Sequence, residues 1–401
     1  MTGPPLQDRE LIGYLGTFQE LQMHLDERPR LTIVQAAPRS GASGLLAHVA
    51  TTLDGLIVLV DARDCHDVTD LAMSIGDHAV AAARPQASSW WTSSRPVGGR
   101  EALELARTLA RRGSDLDDLR QGHGPPSALL ADAFALVKAL TQDAGATVVI
   151  DHLGELLAGL KARDAAQLLS DLRARAQEIG GASLVLVDAW DGQIVGDLHD
   201  PHAALYRGGV LLDIRRASAE EFVTDLAIGR PWLPSEITPP LLRGLADLAA
   251  GAPGPLWAMV DLIHSGAVTF GDVDRQRLEA APLPAFAATA FRRLCDLNRG
   301  ALAAQWSMLR RVHPQANAVI AALAVGYGPH AIPANPKVAR DALRRLRGLG
   351  IVWQPKPRTW AIADPMLAAF ARSHRPPWLT RRTAGATSAA DAAAAMTGGA
   401  L

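Results

Sequence analysis

Residues 31–46, LTIVQAAPRSGASGLL, pass from a nearly continuous apolar run through a turn of small residues into an apolar helix start. This order of strand, tight turn and helix constrains the fold more than any other segment, because four further apolar runs follow, at residues 55–61, 146–151, 182–188 and 209–214. Each is rich in Val, Leu or Ile at successive rather than alternate positions, the pattern of a strand buried on both faces. Helical stretches at 102–112, 127–142 and 156–179 lie between them, so residues 1–217 are expected to form an α/β domain, a parallel sheet covered by helices on both sides. An amphipathic helix over residues 9–27 precedes the first strand, with Leu11, Tyr14, Leu15, Phe18, Leu21 and Leu25 near a 3.6-residue period.

After Ser218 the strand signal stops. Helices are expected at 219–228, 239–250, 256–264, 284–296 and 301–311, which makes residues 218–312 a helical lid domain. From Gln315 the pattern changes again: a helix at 316–325, a second with a basic face at 336–349, and a two-stranded ribbon of 351–354 and 359–363 around Pro355, Lys356 and Pro357. That order of elements reads as a winged helix over 313–378. Residues 379–401, rich in Ala, Thr and Gly, carry no core-forming pattern and are expected to be disordered. Residues 83–99 have the Pro, Ser and Gly density of a loop, and Trp90 and Trp91 at its centre either pack over the sheet or anchor a partner.

With 401 residues, of which 48% are apolar and 20% charged, the chain can bury the cores of two or three domains. No basic segment followed by an apolar stretch opens it, and no run approaches the roughly 18 uninterrupted apolar residues of a membrane span, so no membrane partner and a cytoplasmic location are expected. Cys65 and Cys295 stand alone, in no CxxC pair and near no histidine at ligand spacing, and are expected to be buried thiols. A net charge of −1 conceals an asymmetry: residues 300–378 carry 11 Lys and Arg against Asp341 and Asp364, +9, whereas residues 1–299 carry −11. A basic C-terminal portion attracts polyanions.

The octet AAPRSGAS, Ala36 to Ser43, aligns with the phosphate-binding pattern GxxxxGK[ST]. In that pattern glycines admit backbone amides to the phosphates, the lysine reaches the β and γ phosphates, and the hydroxyl holds Mg²⁺. Gly41 and Ser43 match; Ala36 and Ala42 replace the first glycine and the lysine. At 146–155, ATVVIDHLGE, a β-branched run ends in Asp151, as a Walker B strand presents a carboxylate to magnesium. The next position, commonly a glutamate that orients the attacking water, is His152, which is either a base or an exposed histidine without catalytic work. Glu155, one helical turn on, is a further catalytic candidate. His199 and His202, with Asp197 and Asp200, form DLHDPH, read as a polar loop rather than a metal site because a third clustered donor is missing.

Taken in order, these segments resemble the archaeal-type ATPases of the STAND branch of AAA+ P-loop proteins. Residues 37–46, APRSGASGLL, are similar to that family's GPRRSGKTSLL-like loop with one residue fewer and no lysine. Residues 150–156, IDHLGEL, look like its IDE-type segment with histidine for glutamate, and 203–207, AALYR, resemble its PLYGR before the last strand. Residues 251–256, GAPGPL, are similar to its GGxP segment, and Asp364 with Pro365 to the DP that closes its winged helix. The resemblance spans residues 9 to about 375 and implies a P-loop fold with a helical lid and a winged helix. It places nucleotide contacts at Pro38, Arg39, Ser40, Gly41, Ser43, Gly44, Asp151 and Arg207, with Asp151 and Ser43 as the magnesium contacts. Arg207 falls where a phosphate-sensing arginine is expected.

The departures fall on the chemistry. Losing the lysine removes a charge-assisted contact to triphosphate, and losing the glutamate removes the water-orienting group. The expectation is a degenerate switch or scaffold that binds ATP or ADP, with or without Mg²⁺, and is deficient in hydrolysis. Its basic helix and wing, Lys337, Arg340, Arg344, Arg345, Arg347, Lys356 and Arg358, meet DNA or a protein partner, or dock on the acidic N-terminal portion. On that helix Arg340, Arg344 and Arg347 share one face, and Val338, Ala342, Leu346 and Leu349 are expected to form the apolar one. Two other functions remain open: a DNA-binding regulator whose α/β domain is structural, and an active ATPase using Arg39 and His152. A homo-oligomer is a further expectation.

Overall fold

The computed structural model describes residues 11–83, 125–141, 145–178, 182–189, 193–227, 237–272, 282–328, 332, 335–356, 359–374, 376 and 379. The loop expected beyond residue 83, the helix expected at 102–112, Arg358 and the expected disordered tail beyond Leu379 lie outside these residues. The chain divides into two compact units, Met1–Arg215 and Arg216–Leu401.

The first unit is α/β. Its described elements are α1 (Leu15–Asp26), β1 (Leu31–Ala36), α2 (Ala42–Ala50), β2 (Leu56–Asp61), α3 (Val68–Ala83), α4 (Pro126–Thr141), β3 (Ala146–Asp151), α5 (Leu153–Gly159), α6 (Ala162–Glu178), β4 (Ala182–Ala189), α7 (Gln193–His199) and β5 (Val210–Ile214). The five strands form one sheet in the order β2-β3-β4-β1-β5, and every pairing is parallel. The central strands β1, β3 and β4 are buried along almost their whole length, whereas the edge strand β5 leaves Val210 45% exposed. The continuous apolar runs are thus explained: a strand with neighbours on both sides and helices on both faces has no solvent side to make polar.

Because all strands run the same way, their carboxyl ends form one edge, and the chain order reverses across β1, between β4 and β5. Parallel sheets of this kind place ligands outside the carboxyl edge at such a switch point. Around the sheet, α3 packs on α4 and β2, α6 on β4, and α7 on β1 and β4. Their buried residues, Ile75, Phe134, Leu168, Leu172 and Ile194 among them, join the strands in one apolar cluster.

The helices depart from expectation in three places. Residues 156–179 are expected to form one helix, yet α5 ends at Gly159, Leu160 turns extended at φ −85 and ψ 161, and α6 starts afresh at Ala162. The DLHDPH segment is half helix rather than loop, since α7 runs through Asp197 to His199. Helix α3, in which Ala is the commonest residue, has no counterpart in the sequence reading.

The second unit contains α8 (Ala219–Ala227), α9 (Pro239–Leu248), α10 (Pro253–His264), α11 (Pro282–Leu297), α12 (Arg299–Val312), α13 (Ala316–Ala324), α14 (Pro336–Gly348), β6 (Val352–Lys356), β7 (Thr359–Ile362) and α15 (Pro365–Ser373). Strands β6 and β7 pair antiparallel. Helix α9 closes with a 6→1 bond, Gly251 N–H to Ala246 O at 3.1 Å, for which Ala250 takes φ 51, and Gly251 follows at φ +71. A Cβ there would lie 2.3 Å from Ala217 O, so the position admits only glycine without rearrangement. Arg216 donates to Ala250 O at 3.3 Å and to Ala363 O, and its guanidinium lies over the Trp353 ring, 5.2 Å from the centroid. One side chain therefore ties the end of α9 to the β6–β7 ribbon.

Candidate functional site

At the carboxyl edge the chain leaves β1 through Ala37–Gly41 and enters α2. Ser40 N–H donates to Ala37 O at 3.0 Å and closes the turn, while Ala37 N–H donates to Ile214 O at 2.8 Å and fastens it to β5. Gly41 takes φ 79 as the left-handed residue before α2, which has no side-chain cap. The amides of a helix's first turn lack intrahelical partners and carry the positive end of its dipole. Here Arg39, Gly41 and Ser43 are exposed beside them, which is the arrangement an anion needs. Arg39 also adopts φ 59, and His152 φ 56. Such backbone costs a non-glycine residue about 1–2 kcal/mol, and strain of this kind collects at functional sites.

Ala42 is buried, 8% exposed, where the pattern has its lysine. Ser40 is 2% exposed, and its Oγ has no hydrogen-bond partner among the described residues. A buried hydroxyl left unsatisfied is unusual in a protein interior, and at the base of this loop it leaves a donor in reserve.

Asp151 ends β3 beside this loop. Its Oδ1 accepts from the His152 N–H at 2.8 Å, and its Oδ2 lies 3.6 Å from His152 Nε2. That same Nε2 lies 3.4 Å from Ser43 Oγ, across 109 residues of sequence, and His152 Nδ1 is 3.6 Å from Glu155 Oε1. Two residues that sequence reading missed complete the cluster. Asp61, at the end of β2, is in register with Asp151, and Arg63 donates to both of its carboxylate oxygens, from Nε at 3.0 and 3.1 Å and from Nη2 at 2.5 Å. These bonds hold the Asp61 carboxyl below the usual range against the opposing effect of burial. The same pairing raises Arg63, with smaller contributions from Glu155 and Asp151. Asp188, at the end of β4, is the third missed residue: it is 3% exposed, and its oxygens accept from Ala189 N at 2.8 Å and Ile194 N at 3.1 Å. The only signal for Asp61 and Asp188 was their position at a strand's carboxyl end.

One expected contact is overturned. Arg207 precedes β5, whose first residue Val210 pairs with Thr32, and Gly209 lies against Leu31 O. It therefore stands at the amino edge of the sheet, about 17 Å of strand away from the loop by the usual rise per residue. Its guanidinium instead lies over the Tyr206 ring, 5.1 Å from the centroid. Arg207 does not reach a nucleotide in the loop.

The phosphate-facing part of the site fits a nucleotide: Gly41, the first turn of α2, Arg39, Ser40, Ser43 and Gly44 would meet the phosphates, with Pro38 shaping the turn. The metal-facing part does not fit, because both groups expected to hold magnesium, Ser43 and Asp151, face the His152 ring.

The basic helix α14 is capped by Asn335, whose side chain accepts from Lys337 N at 2.9 Å. Its buried stripe is Ala339, Ala342, Leu343 and Leu346, whereas Val338 and Leu349 are 37% and 56% exposed, which corrects the apolar face expected from the sequence. Lys337, Arg340 and Arg344 are exposed on the side away from that stripe, and Arg347 is half-buried. Arg344 pairs with Asp341 at 3.3 Å, and Arg345 donates to Val312 O, the last carbonyl of α12, at 3.1 Å. The backbone of Lys356 pairs with Thr359 at the end of the ribbon.

Among the described residues no helix is long and apolar enough to cross a membrane, and no group of three or more His, Cys, Asp or Glu is placed to hold a metal ion. No family model matches the sequence. No curated protein matches it either. The fold does have solved counterparts. The Walker-type ATPase of Pyrococcus abyssi is similar at a TM-score of 0.60 and 16% identity, over 89% of this chain and 95% of that one. The ORC2 protein of Aeropyrum pernix, solved in ADPNP and ADP complexes, aligns at a TM-score of 0.48 and 14% identity, over 92% and 94%. A STAND protein of Pyrococcus horikoshii with a tetratricopeptide repeat sensor aligns at 0.34 and 13%, over 90% of this chain and 42% of that one. The parallel five-stranded sheet, with its loop at the carboxyl edge, has the P-loop fold of that Walker-type ATPase.

Proposed function

We propose that this protein is a STAND/AAA+-like nucleotide-binding switch or scaffold that does not hydrolyse ATP, and that its basic winged helix binds DNA. The observation that carries the proposal is an open phosphate-facing turn beside altered chemical positions. Gly41 and the exposed start of α2 remain, while Ala42 and His152 stand where a lysine and a water-orienting carboxylate belong. A bound nucleotide would supply the negative charge that the first-turn amides of α2 attract. Gly41 orients those amides, and Arg39 adds positive charge at the loop's exposed corner. Ala42 supplies no charge in the lysine's place, and His152 puts an imidazole where the water-orienting carboxylate of phosphoryl transfer belongs.

The helix–helix–ribbon–helix order from α13 to α15 supports the winged-helix reading, and the exposed Lys337, Arg340 and Arg344 support DNA as the partner, since phosphate contacts from Lys and Arg dominate such affinity. Calorimetry with ADP and ATP tests nucleotide binding, and a phosphate-release assay tests hydrolysis. Binding without turnover is expected. Steady ATP turnover abolished by Asp151→Ala would overturn the proposal.

A further inference from the structure

Magnesium in a phosphate-binding loop of this fold is held by the loop hydroxyl and the strand aspartate. It demands near-octahedral oxygen ligands at about 2.0–2.1 Å. In this chain both groups are turned to one imidazole. Ser43 Oγ is 3.4 Å and Asp151 Oδ2 is 3.6 Å from His152 Nε2, and the remaining Asp151 oxygen accepts from the His152 backbone N–H at 2.8 Å. The other ring nitrogen faces Glu155 at 3.6 Å, so the ring has a polar neighbour at each nitrogen. The arrangement is built into the backbone, because His152 takes the left-handed conformation, φ 56 and ψ 26, immediately before α5.

We infer that the loop binds a nucleoside diphosphate without a divalent cation, the His152 imidazole standing in the cation's place between Ser43 and Asp151. This rests on the nucleotide-binding reading above. An imidazole N–H donates a hydrogen bond where a cation would attract a phosphate oxygen, and it keeps the Asp151 carboxylate from facing the phosphates unscreened. A diphosphate is favoured over a triphosphate because, with Ala42 in the lysine's place and no bridging metal, Arg39 is the single cation of the turn 37–41 and does not match the extra charge of a γ-phosphate.

Calorimetric titration of the full chain with ADP, once with Mg²⁺ and once with EDTA, tests this. Equal affinities within about threefold, with ATP binding more weakly than ADP, are expected. The variant His152→Glu, shown to be folded by its circular dichroism melt, should acquire metal dependence and lose about tenfold or more in ADP affinity when Mg²⁺ is removed. If the natural protein loses ADP binding in EDTA, the inference is overturned while the nucleotide-binding reading stands. If ADP binds under neither condition, both fall. If His152→Glu remains indifferent to Mg²⁺, His152 is not the group that replaces the metal, and the inference is overturned at that residue.

Discussion

Gly154 and Asp188 leave no room for a side chain between them: a Cβ on residue 154 would lie 2.0 Å from Asp188 Oδ1. Asp188 cannot give way cheaply, because it is buried and its two oxygens hold the Ala189 and Ile194 amides. Gly154→Ala should therefore break at least one buried charge-assisted bond and destabilise the first unit by about 2 kcal/mol. Urea unfolding followed by circular dichroism checks this, and an unchanged midpoint would show that the aspartate moves without loss.

The buried Ala42 offers the converse test, a gain of function. Restoring the pattern's lysine with Ala42→Lys should strengthen ATP binding about tenfold or more, since a hydrogen bond to a charged group contributes about 1.5–3 kcal/mol. Phosphate release should stay at background, because His152 still stands where the water-orienting carboxylate belongs. Calorimetry and a turnover assay on the same preparation separate the two effects. ATP affinity that does not change would mean that the loop does not seat a triphosphate in the usual way.

The thiols yield a prediction about pH. Burial pushes Cys65 up to about 11, with the surrounding Asp70, Asp64, Asp61 and Asp67 acting in the same direction. Burial likewise pushes Cys295 up to about 11. Both should resist thiol reagents at pH 8 in the folded protein and react once it is unfolded, because the thiolate is the reactive form. The folded state holds these protons more tightly than the unfolded chain, whose thiols titrate near 9.0, so the thiols' contribution to stability is intact below pH 9 and lost as pH rises toward about 11. Rapid labelling of either cysteine in the native protein at pH 8 would contradict this.

The strands were legible because burial on both faces leaves a local mark, an unbroken apolar run, and all five runs became neighbours in one sheet. Helix α3 left a fainter mark: Ala72, Gly76 and Ala79 are buried but small, so its apolar stripe contrasts little with its other faces. The break between α5 and α6 has no proline, only Gly159 followed by an extended Leu160. The candidate site was legible in its loop and in Asp151. The meeting of Ser43 with His152, and the register of Asp61 with Asp151, join residues far apart in sequence and exist only once the strands have paired. Arg207 shows the opposite failure: a motif resemblance set it at a phosphate, and strand direction carries it to the other edge of the sheet.

The cations of the basic helix α14 differ in where their partners lie. Lys337, Arg340 and Arg344 share an exposed face, where Arg340 donates to Pro336 O at 3.3 Å and Arg344 pairs with Asp341, both within α14, whereas Arg345 donates to the Val312 carbonyl that ends α12. Each phosphate neutralised on duplex DNA contributes about 0.9 to the slope of log affinity against log salt. Replacing Arg340 and Arg344 together by alanine should therefore flatten that slope by about 2 and weaken binding uniformly across sequences, as measured by fluorescence anisotropy over a salt series. Arg345→Ala should leave the slope unchanged and lower the melting temperature instead, since it uncaps a helix end rather than freeing a phosphate contact. A slope that responds to Arg345 and ignores Arg340 and Arg344 would place the DNA on a different face of α14, and no salt-dependent binding at all would remove DNA as the partner of this helix.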